Sequence, residues 1–497
     1  MSSIYLINPR PDFMVYMGSE VSHEFGSHPL TFIADITITT VAAMIPKDFD
    51  IKLCDENIED IDFNHEADFV GITGKFSQLE RMKEIATEFH NRNKTVLIGG
   101  PLASLDPNKV RDYCDILVVG EIENIANKLF SDLKNHTWKS EYMGNKTNPI
   151  MTPIPRWELY SNQYAFAGIV QTSRGCPFNC EFCDVIQYAG RVQRHKPVQN
   201  VIDELNVLYK HDYRFVFLSD DNFTANRKLA KELLVAIRDW NKKLSPDRMF
   251  FMTQLSIDVA KDEELVQLCA DAGMSKVFIG IESPSADALK EMNKVSNFNV
   301  DISKAVHTFL NHGISVAGGL ILGFDTDTSE TFDKMYDFAM SLPIPIWAGF
   351  SLMAPISTVL YKRLQKEKRI NTNKQLTHVP WETNIIPKQM TNEELTLGTK
   401  KLIERLYSPE AFTKRVLNFI NSINVNENLM YLKESKKFGR ALFSIIRYWS
   451  RLGEKERKAF ITIVEAIHKT NKPVEISQYF YQMLGIYLQT RYLLNNN

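Results

Sequence analysis

Between residues 168 and 353 the sequence repeats one unit six times, a short apolar run of strand length followed by an amphipathic stretch of helix length. The strands read as Gly168–Thr172, Phe215–Leu218, Phe250–Gln254, Val277–Ile281, Ser315–Leu322 and Trp347–Met353. Between them lie helices at Val198–His211, Lys228–Lys242, Asp262–Ala272, Val300–Asn311 and Ser329–Ser341. Strands that return through a helix each time pair in parallel, and a parallel sheet needs both faces covered. Six such units predict an incomplete (β/α) barrel, and the reactive face of a barrel is the rim at the carboxyl ends of its strands.

Ahead of this block the same alternation runs through Ile4–Asn8, Phe32–Ile45, Ile51–Asp55, Phe69–Thr73, Leu79–His90, Val96–Gly99 and Ile116–Val119. It predicts a separate doubly wound parallel sheet over residues 1–140. Gly99-Gly100-Pro101 and Gly120-Glu121 fall where strands turn into helices, so a ligand is expected at the carboxyl edge. Residues 141–164 lose the periodicity and gather Pro149, Pro153 and Pro155, which reads as a linker. The barrel then spans 165–370, and 371–497 reads as a mostly helical domain with no catalytic motif, so the fold class is α/β with a helical C-terminal part.

With 497 residues, several domains are expected. A formal net charge of −2 gives no basic excess for a nucleic-acid partner. No apolar run approaches the roughly 20 residues that cross a bilayer. The N-terminus lacks the features of a signal peptide, so no transmembrane segment is predicted and a cytoplasmic location is expected.

The chain has six cysteines, and three of them fall in Thr172-Ser-Arg-Gly-Cys176-Pro-Phe-Asn-Cys180-Glu-Phe-Cys183-Asp, directly after the first barrel strand. Such crowding is poor geometry for disulfides and good geometry for metal. A tetrahedral zinc site would need a fourth ligand, whereas three thiolates on one loop can hold three corners of a cubane iron–sulfur cluster. The nearest histidine, His195, lies in a basic loop. Cys54, Cys114 and Cys269 are scattered in apolar contexts and read as structural.

This CxxxCxxC segment, with aromatic Phe182 before its last cysteine, resembles the signature of the radical S-adenosylmethionine (radical SAM) superfamily. The resemblance implies a TIM-like partial (β/α)6 radical SAM barrel. It also implies a 4Fe-4S cluster on Cys176, Cys180 and Cys183, with one iron left for S-adenosylmethionine, and reductive cleavage to a 5′-deoxyadenosyl radical. Further matches imply cofactor contacts: Ser219, Asp220 and Asp221 after the second strand, Glu282 and Ser283 after the fourth, and Gly319, Ile321 and Gly323 along the fifth. Helix capping by the aspartates and plain strand packing by the glycines are the competing structural readings. Thr326 stands where the family pattern often has Glu.

The first 140 residues resemble the Rossmann-like cobalamin-binding domains found ahead of such barrels, on the strength of Val96–Pro101, Asp115–Glu121 and the Gly71-Ile-Thr-Gly-Lys75-Phe loop. Cobalamin contacts are thereby implied for Gly71, Thr73, Lys75, Gly99, Gly100, Gly120 and Glu121. No Asp-x-His-x-x-Gly motif is present, so no histidine ligand to cobalt is predicted. Ala354–Ile370 and Gly323–Thr328 are similar to a bacterial subgroup with an extra C-terminal helical domain. The family resemblance implies methyl transfer to an unactivated carbon of a small molecule, with radical cyclisation, ring contraction or rearrangement as the alternative. A reductant such as flavodoxin or ferredoxin is implied as partner. Methylthio transfer fits poorly, because a second cysteine triad is missing, and a purely structural cluster fits the open-corner motif poorly.

Overall fold

The structure is a computed structural model that describes residues 2–26, 30–371, 379–425 and 436–496. Among the described residues it contains two parallel sheets and a two-stranded antiparallel ribbon formed by Ser173–Arg174 and Arg194–His195. In chain order the strands are β1 (Ser3–Asn8), β2 (Thr31–Ile33), β3 (Asp50–Asp55), β4 (Phe69–Thr73), β5 (Thr95–Gly99), β6 (Ile116–Val119), β7 (Glu141–Met143) and β8 (Ala165–Val170). They continue with β9 (Ser173–Arg174), β10 (Arg194–His195), β11 (Phe215–Leu218), β12 (Phe250–Gln254), β13 (Met274–Glu282), β14 (Ser315–Leu322) and β15 (Ile346–Ser351).

The first sheet has the order β3-β1-β4-β5-β6-β7. Its chain order reverses between β1 and β4, the crevice where doubly wound sheets bind ligands. One face is covered by the helix Leu79–His90, whose Leu79, Met82, Ile85, Ala86 and Phe89 repeat at helical spacing and pack on Val70, Ile72, Val96 and Ile98. The opposite face carries Ile4, Leu6, Leu97 and Val118 and meets the helix Ile36–Met44. That helix, ITITTVAAM, is nearly free of polar groups beyond its threonines, as suits a segment enclosed on several sides. Asp35 begins it by accepting a hydrogen bond from the Ile38 amide.

The second sheet runs β15-β14-β13-β12-β11-β8-β2, a parallel half-barrel. Its six expected strands are present. The seventh, β2, was expected as part of one amphipathic stretch, Phe32–Ile45; the segment is instead a three-residue strand followed by a helix. Thr31 and Ile33 pair in parallel with Ala165 and Ala167, so the front part of the chain supplies the edge of the barrel sheet. Three residues are too few to display a period of two, and the partner strand is remote in sequence.

After the barrel come helices Asn392–Leu406, Pro409–Ser422, Lys436–Trp449, Glu454–His468 and Pro473–Asn496. Thr391 with Glu394 and Ser408 with Pro409 cap the first two. The helical expectation for residues 372–378 and 426–435 lies outside the described residues. Among the described residues no helix is long and apolar enough to cross a membrane.

Candidate active site

The three cysteines lie on the loop that leaves β8 at the carboxyl rim, between β9 and a short helix, Val185–Tyr188. Gly175 begins the loop with φ +97°, and its amide donates to Asp221 Oδ2 at 2.9 Å. A Cβ at Gly175 would press on the carbonyl oxygens of Val192 and Gly190 at 2.7 and 2.8 Å, so the backbone here admits glycine only. The Cys176 amide donates to Gly190 O at 3.1 Å and the Cys183 amide to Cys180 O at 3.2 Å. Two other segments grip the loop. The Glu181 amide donates to Met292 O at 3.1 Å, and Asn293 Nδ2 donates to Asn179 O at 3.0 Å. On the far side the Leu360 amide donates to Glu181 O, while Arg363 pairs with the Glu181 carboxylate, both at 3.0 Å.

Burial raises all three thiols, Cys183 to about 12, and the cysteines act electrostatically on one another. Among the described residues no group of three or more His, Cys, Asp or Glu side chains closes on a single metal ion. Three thiols from one loop suit a cubane, whose corners are spread more widely than the ligands of one ion. The donor set fits the cluster.

The remaining rim residues are each held by the chain itself, in different ways. Asp220 is consumed: its carboxylate accepts from Thr172 Oγ1 at 2.7 Å, from Ser173 Oγ at 2.9 Å and from the Ser173 amide. Burial brings it up to about 6 in spite of these donors. Asp221 shapes the turn at Gly175, and Ser219 Oγ lies 3.5 Å from Val170 O. Ser283 Oγ accepts from the Ser285 amide at 3.1 Å. Glu282 ends β13 at a register shift with φ +65°, and its carboxylate meets Lys294 Nζ at 2.9 Å. Burial alone would lower Lys294; the charges of Glu282 and the cysteines outweigh it and bring it up to about 12. On β14, Ile321 packs in the same cluster as Phe182 of the cysteine loop. Gly319 lies against Phe278, where a Cβ would be 3.1 Å from the ring, and Gly323 has φ +108° with its amide bound to Asp327 Oδ2 at 2.8 Å.

Across from the loop, a cavity of about 300 Å³ opens between the first sheet and the barrel. Gly71, Thr73, Gly99, Gly100, Gly120 and Glu121 all line it. So do Gln171, Arg174, Tyr188 and Asp221 from the cysteine side, and Ile36, Val41 and Met44 from the enclosing helix. Ser104 ties the edge together: its hydroxyl donates to Gly100 O and accepts from the Gly120 amide, both at 2.9 Å. A Cβ at Gly71, Gly100 or Gly120 would meet Leu6, Thr73 or Gly144 of the chain itself, so these glycines let the strand ends pack closely at the cavity edge. The walls are mainly apolar, which fits a corrin better than a charged nucleotide.

One of the expected contacts stands elsewhere, and another is already engaged. Lys75 is exposed and outside the cavity; its amide donates to Gln78 Oε1 at 2.7 Å, opening the turn before the helix Leu79–His90. Glu121 lines the cavity with both oxygens already engaged. Arg194 holds them at 2.6 and 2.8 Å, Arg174 at 3.2 Å, and the Thr147 amide at 2.6 Å. Burial would raise this carboxyl; Arg194, Thr147 and Arg174 together bring it down to about 2. Arg174 also pairs with Glu123 at 2.6 Å. These ion pairs join the first sheet to the cysteine loop, and neither Arg174, Arg194 nor Lys294 carried a motif that would have singled it out.

A model of the radical SAM superfamily matches residues 170–339. A domain of unknown function (DUF4070) matches residues 358–488. The chain is 31% identical over 403 residues to the hopanoid C-2 methylase of Rhodopseudomonas palustris, covering 78% of this chain and 75% of that protein. It is 27% identical over 418 residues to the bacteriochlorophyllide d C-12(1)-methyltransferase of Chlorobaculum tepidum, covering 78% of this chain and 87% of the other. In three dimensions it matches the cobalamin-dependent S-adenosylmethionine radical enzyme OxsB, with aqua-cobalamin and S-adenosylmethionine bound. The TM-score is 0.62 at 14% identity, over 100% of this chain and 80% of that chain, a likeness of fold. Similarity over most of both chains, together with the cysteine loop at the half-barrel rim, places this chain in the radical SAM enzyme family, in the branch that carries a cobalamin-binding-type domain ahead of the barrel.

Proposed function

We propose that this enzyme transfers a methyl group to an unactivated carbon of a small-molecule substrate, with cobalamin held on the first sheet and S-adenosylmethionine beside the cluster. The observation that carries the reading is the single cavity shared by Gly71, Gly99 and Gly120 of the first sheet and by Gln171, Arg174 and Asp221 next to the cysteine loop. Two cofactors that act on one substrate need a common enclosed space, since orientation and proximity supply much of the rate. Both relatives described above are named for methylation at a carbon position, which favours this reading over rearrangement.

When bound, the corrin supplies a methyl carrier, and the cluster supplies one electron to S-adenosylmethionine. The chain supplies placement. Cys176, Cys180 and Cys183 hold the cluster; Gly71, Thr73, Gly99, Gly100 and Gly120 receive the corrin; Glu282, Ser283, Gly319, Ile321 and Gly323 form the rim on which S-adenosylmethionine rests. Ile36, Val41 and Met44 keep water from the reacting space. A soluble one-electron donor such as flavodoxin or ferredoxin completes the scheme.

The test is an anaerobic reaction with S-adenosylmethionine labelled in its methyl group, followed by mass analysis of candidate substrates. A product carrying the labelled methyl, formed together with deoxyadenosine, supports methyl transfer. Deoxyadenosine formed with a product of unchanged or hydrogen-depleted mass would replace this reading with radical cyclisation or rearrangement.

A further inference from the structure

The segment that follows the helix Ala286–Glu291 folds back on the cysteine loop, and one ammonium group comes with it. Met292 and Asn293 are bonded to Glu181 and Asn179 of the loop, and Asn297 Nδ2 donates to Gly280 O and Ile281 O at 3.0 and 2.9 Å. Between these anchors Lys294 is turned inward, its side chain 17% exposed. Its Nζ lies 2.9 Å from Glu282 Oε1 and 5.9 Å from the ring centroid of Phe182, the residue immediately before Cys183. The other charged groups acting on the cysteines are negative, Asp221 on Cys176, Glu282 on Cys180 and Asp184 on Cys183, while Arg191 reaches the loop from its exposed side and donates to Pro177 O at 3.2 Å. The carboxylate of Glu181 is taken up by Arg363.

We propose that Lys294 sets the reduction potential of the cluster held by Cys176, Cys180 and Cys183, with Glu282 as the group that positions it. This rests on the assignment of the cysteine loop as a cluster site. One-electron reduction adds a negative charge to an iron–sulfur core already surrounded by thiolates. The potential of such a core follows its net charge, hydrogen bonding and exposure. A fixed ammonium in a poorly solvated site stabilises the reduced form more strongly than the same charge in water. Glu282 sets the size of the effect, because its carboxylate cancels part of the ammonium charge and holds Nζ on the cluster side of β13. The sharp turn at Glu282, with positive φ at a strand bulge, places the carboxylate where it can do this.

The experiment is an EPR-monitored redox titration of the anaerobically reconstituted full chain, without substrate, using dithionite as electron source and iron content as a control. Lys294→Met is expected to keep its iron and to become at least tenfold harder to reduce at a fixed potential, about 59 mV lower in midpoint for a one-electron couple. Lys294→Arg should stay close to the unsubstituted protein. Glu282→Gln should move the midpoint in the opposite direction, but it also removes a charge that itself acts on Cys180. Lys294→Gln, which keeps a polar head without the charge, should lower the midpoint as Lys294→Met does and decides the matter if Lys294→Met does not retain iron. A fully loaded Lys294→Met or Lys294→Gln with an unchanged midpoint overturns the role of Lys294. If the unsubstituted protein shows no cubane signal at all, it is the cysteine assignment that fails.

Discussion

Asp220 has its carboxylate oxygens occupied by Thr172 and Ser173, the two residues that lead from the first barrel strand into the cysteine loop. It acts by fixing the loop's approach. Replacing it with Asn sets an amide against donors and is expected to destabilise the fold by roughly 1–2 kcal/mol, read by denaturant unfolding. The pH dependence has a definite sign. The folded carboxyl is brought up from 3.8 to about 6, so the native state binds the proton more tightly than the unfolded chain. Its contribution is fully present below about 3.8 and is lost as pH rises through about 6. Asp220→Asn should therefore flatten the stability profile across that window. At this scale the sequence made the cysteine triad legible, because ligands that share one loop must be close in sequence. Lys294 was not legible, since its place beside Phe182 depends on a fold-back that no local pattern encodes.

Among the elements, the strand–helix units of both sheets were readable because their apolar periods are long and their glycines fall at the turns. β2 was not, since it is short and pairs only with the distant β8, and neither was β7, whose three residues Glu141–Met143 pair with β6 at the edge of the first sheet although they open the stretch expected as a linker. The helix Ile36–Met44 follows that strand with no polar break beyond Asp35 and its threonines, so the sequence shows one stretch where the structure has two elements. The junction after β6 shows what the edge glycines do. Gly120 has φ +83°, and a Cβ there would fall on the carbonyl oxygen of Gly144, the residue that follows β7. Gly120→Ala should cost about 2 kcal/mol or more from left-handed backbone and overlap together. Gly99→Ala, whose Cβ would be 3.4 Å from Val118 Cβ, is the comparison expected to unfold near the unsubstituted midpoint in the same denaturation experiment.

Over the whole molecule, the cavity exists because the first sheet is held against the barrel rim, and Glu121 is the centre of that attachment. Its sequence position after a glycine suggests a cofactor contact; in the structure it lines the cavity while Arg194 and Arg174 hold its carboxylate. Contacts of this kind between distant segments have no periodic signature, so nothing in the sequence marks the two arginines. The folded carboxyl lies at about 2 against an ordinary 4.5, so the ion pairs stabilise the protein above about 4.5 and the contribution is lost as pH falls toward 2. Glu121→Gln should lower stability by roughly 1–3 kcal/mol near neutral pH. It should also weaken the acid sensitivity of unfolding below about 4.5, as followed by circular dichroism.

Every role proposed for the rim and the cavity depends on three sulfurs that hold an iron–sulfur cube and leave one iron for S-adenosylmethionine. EPR of the anaerobically reconstituted and reduced protein, recorded with and without S-adenosylmethionine, tests this directly. The predicted result is a cubane signal whose shape changes when S-adenosylmethionine is added and which is lost in Cys176→Ala, Cys180→Ala and Cys183→Ala alike. A signal indifferent to S-adenosylmethionine, or one retained in full by any of the three variants, would contradict it.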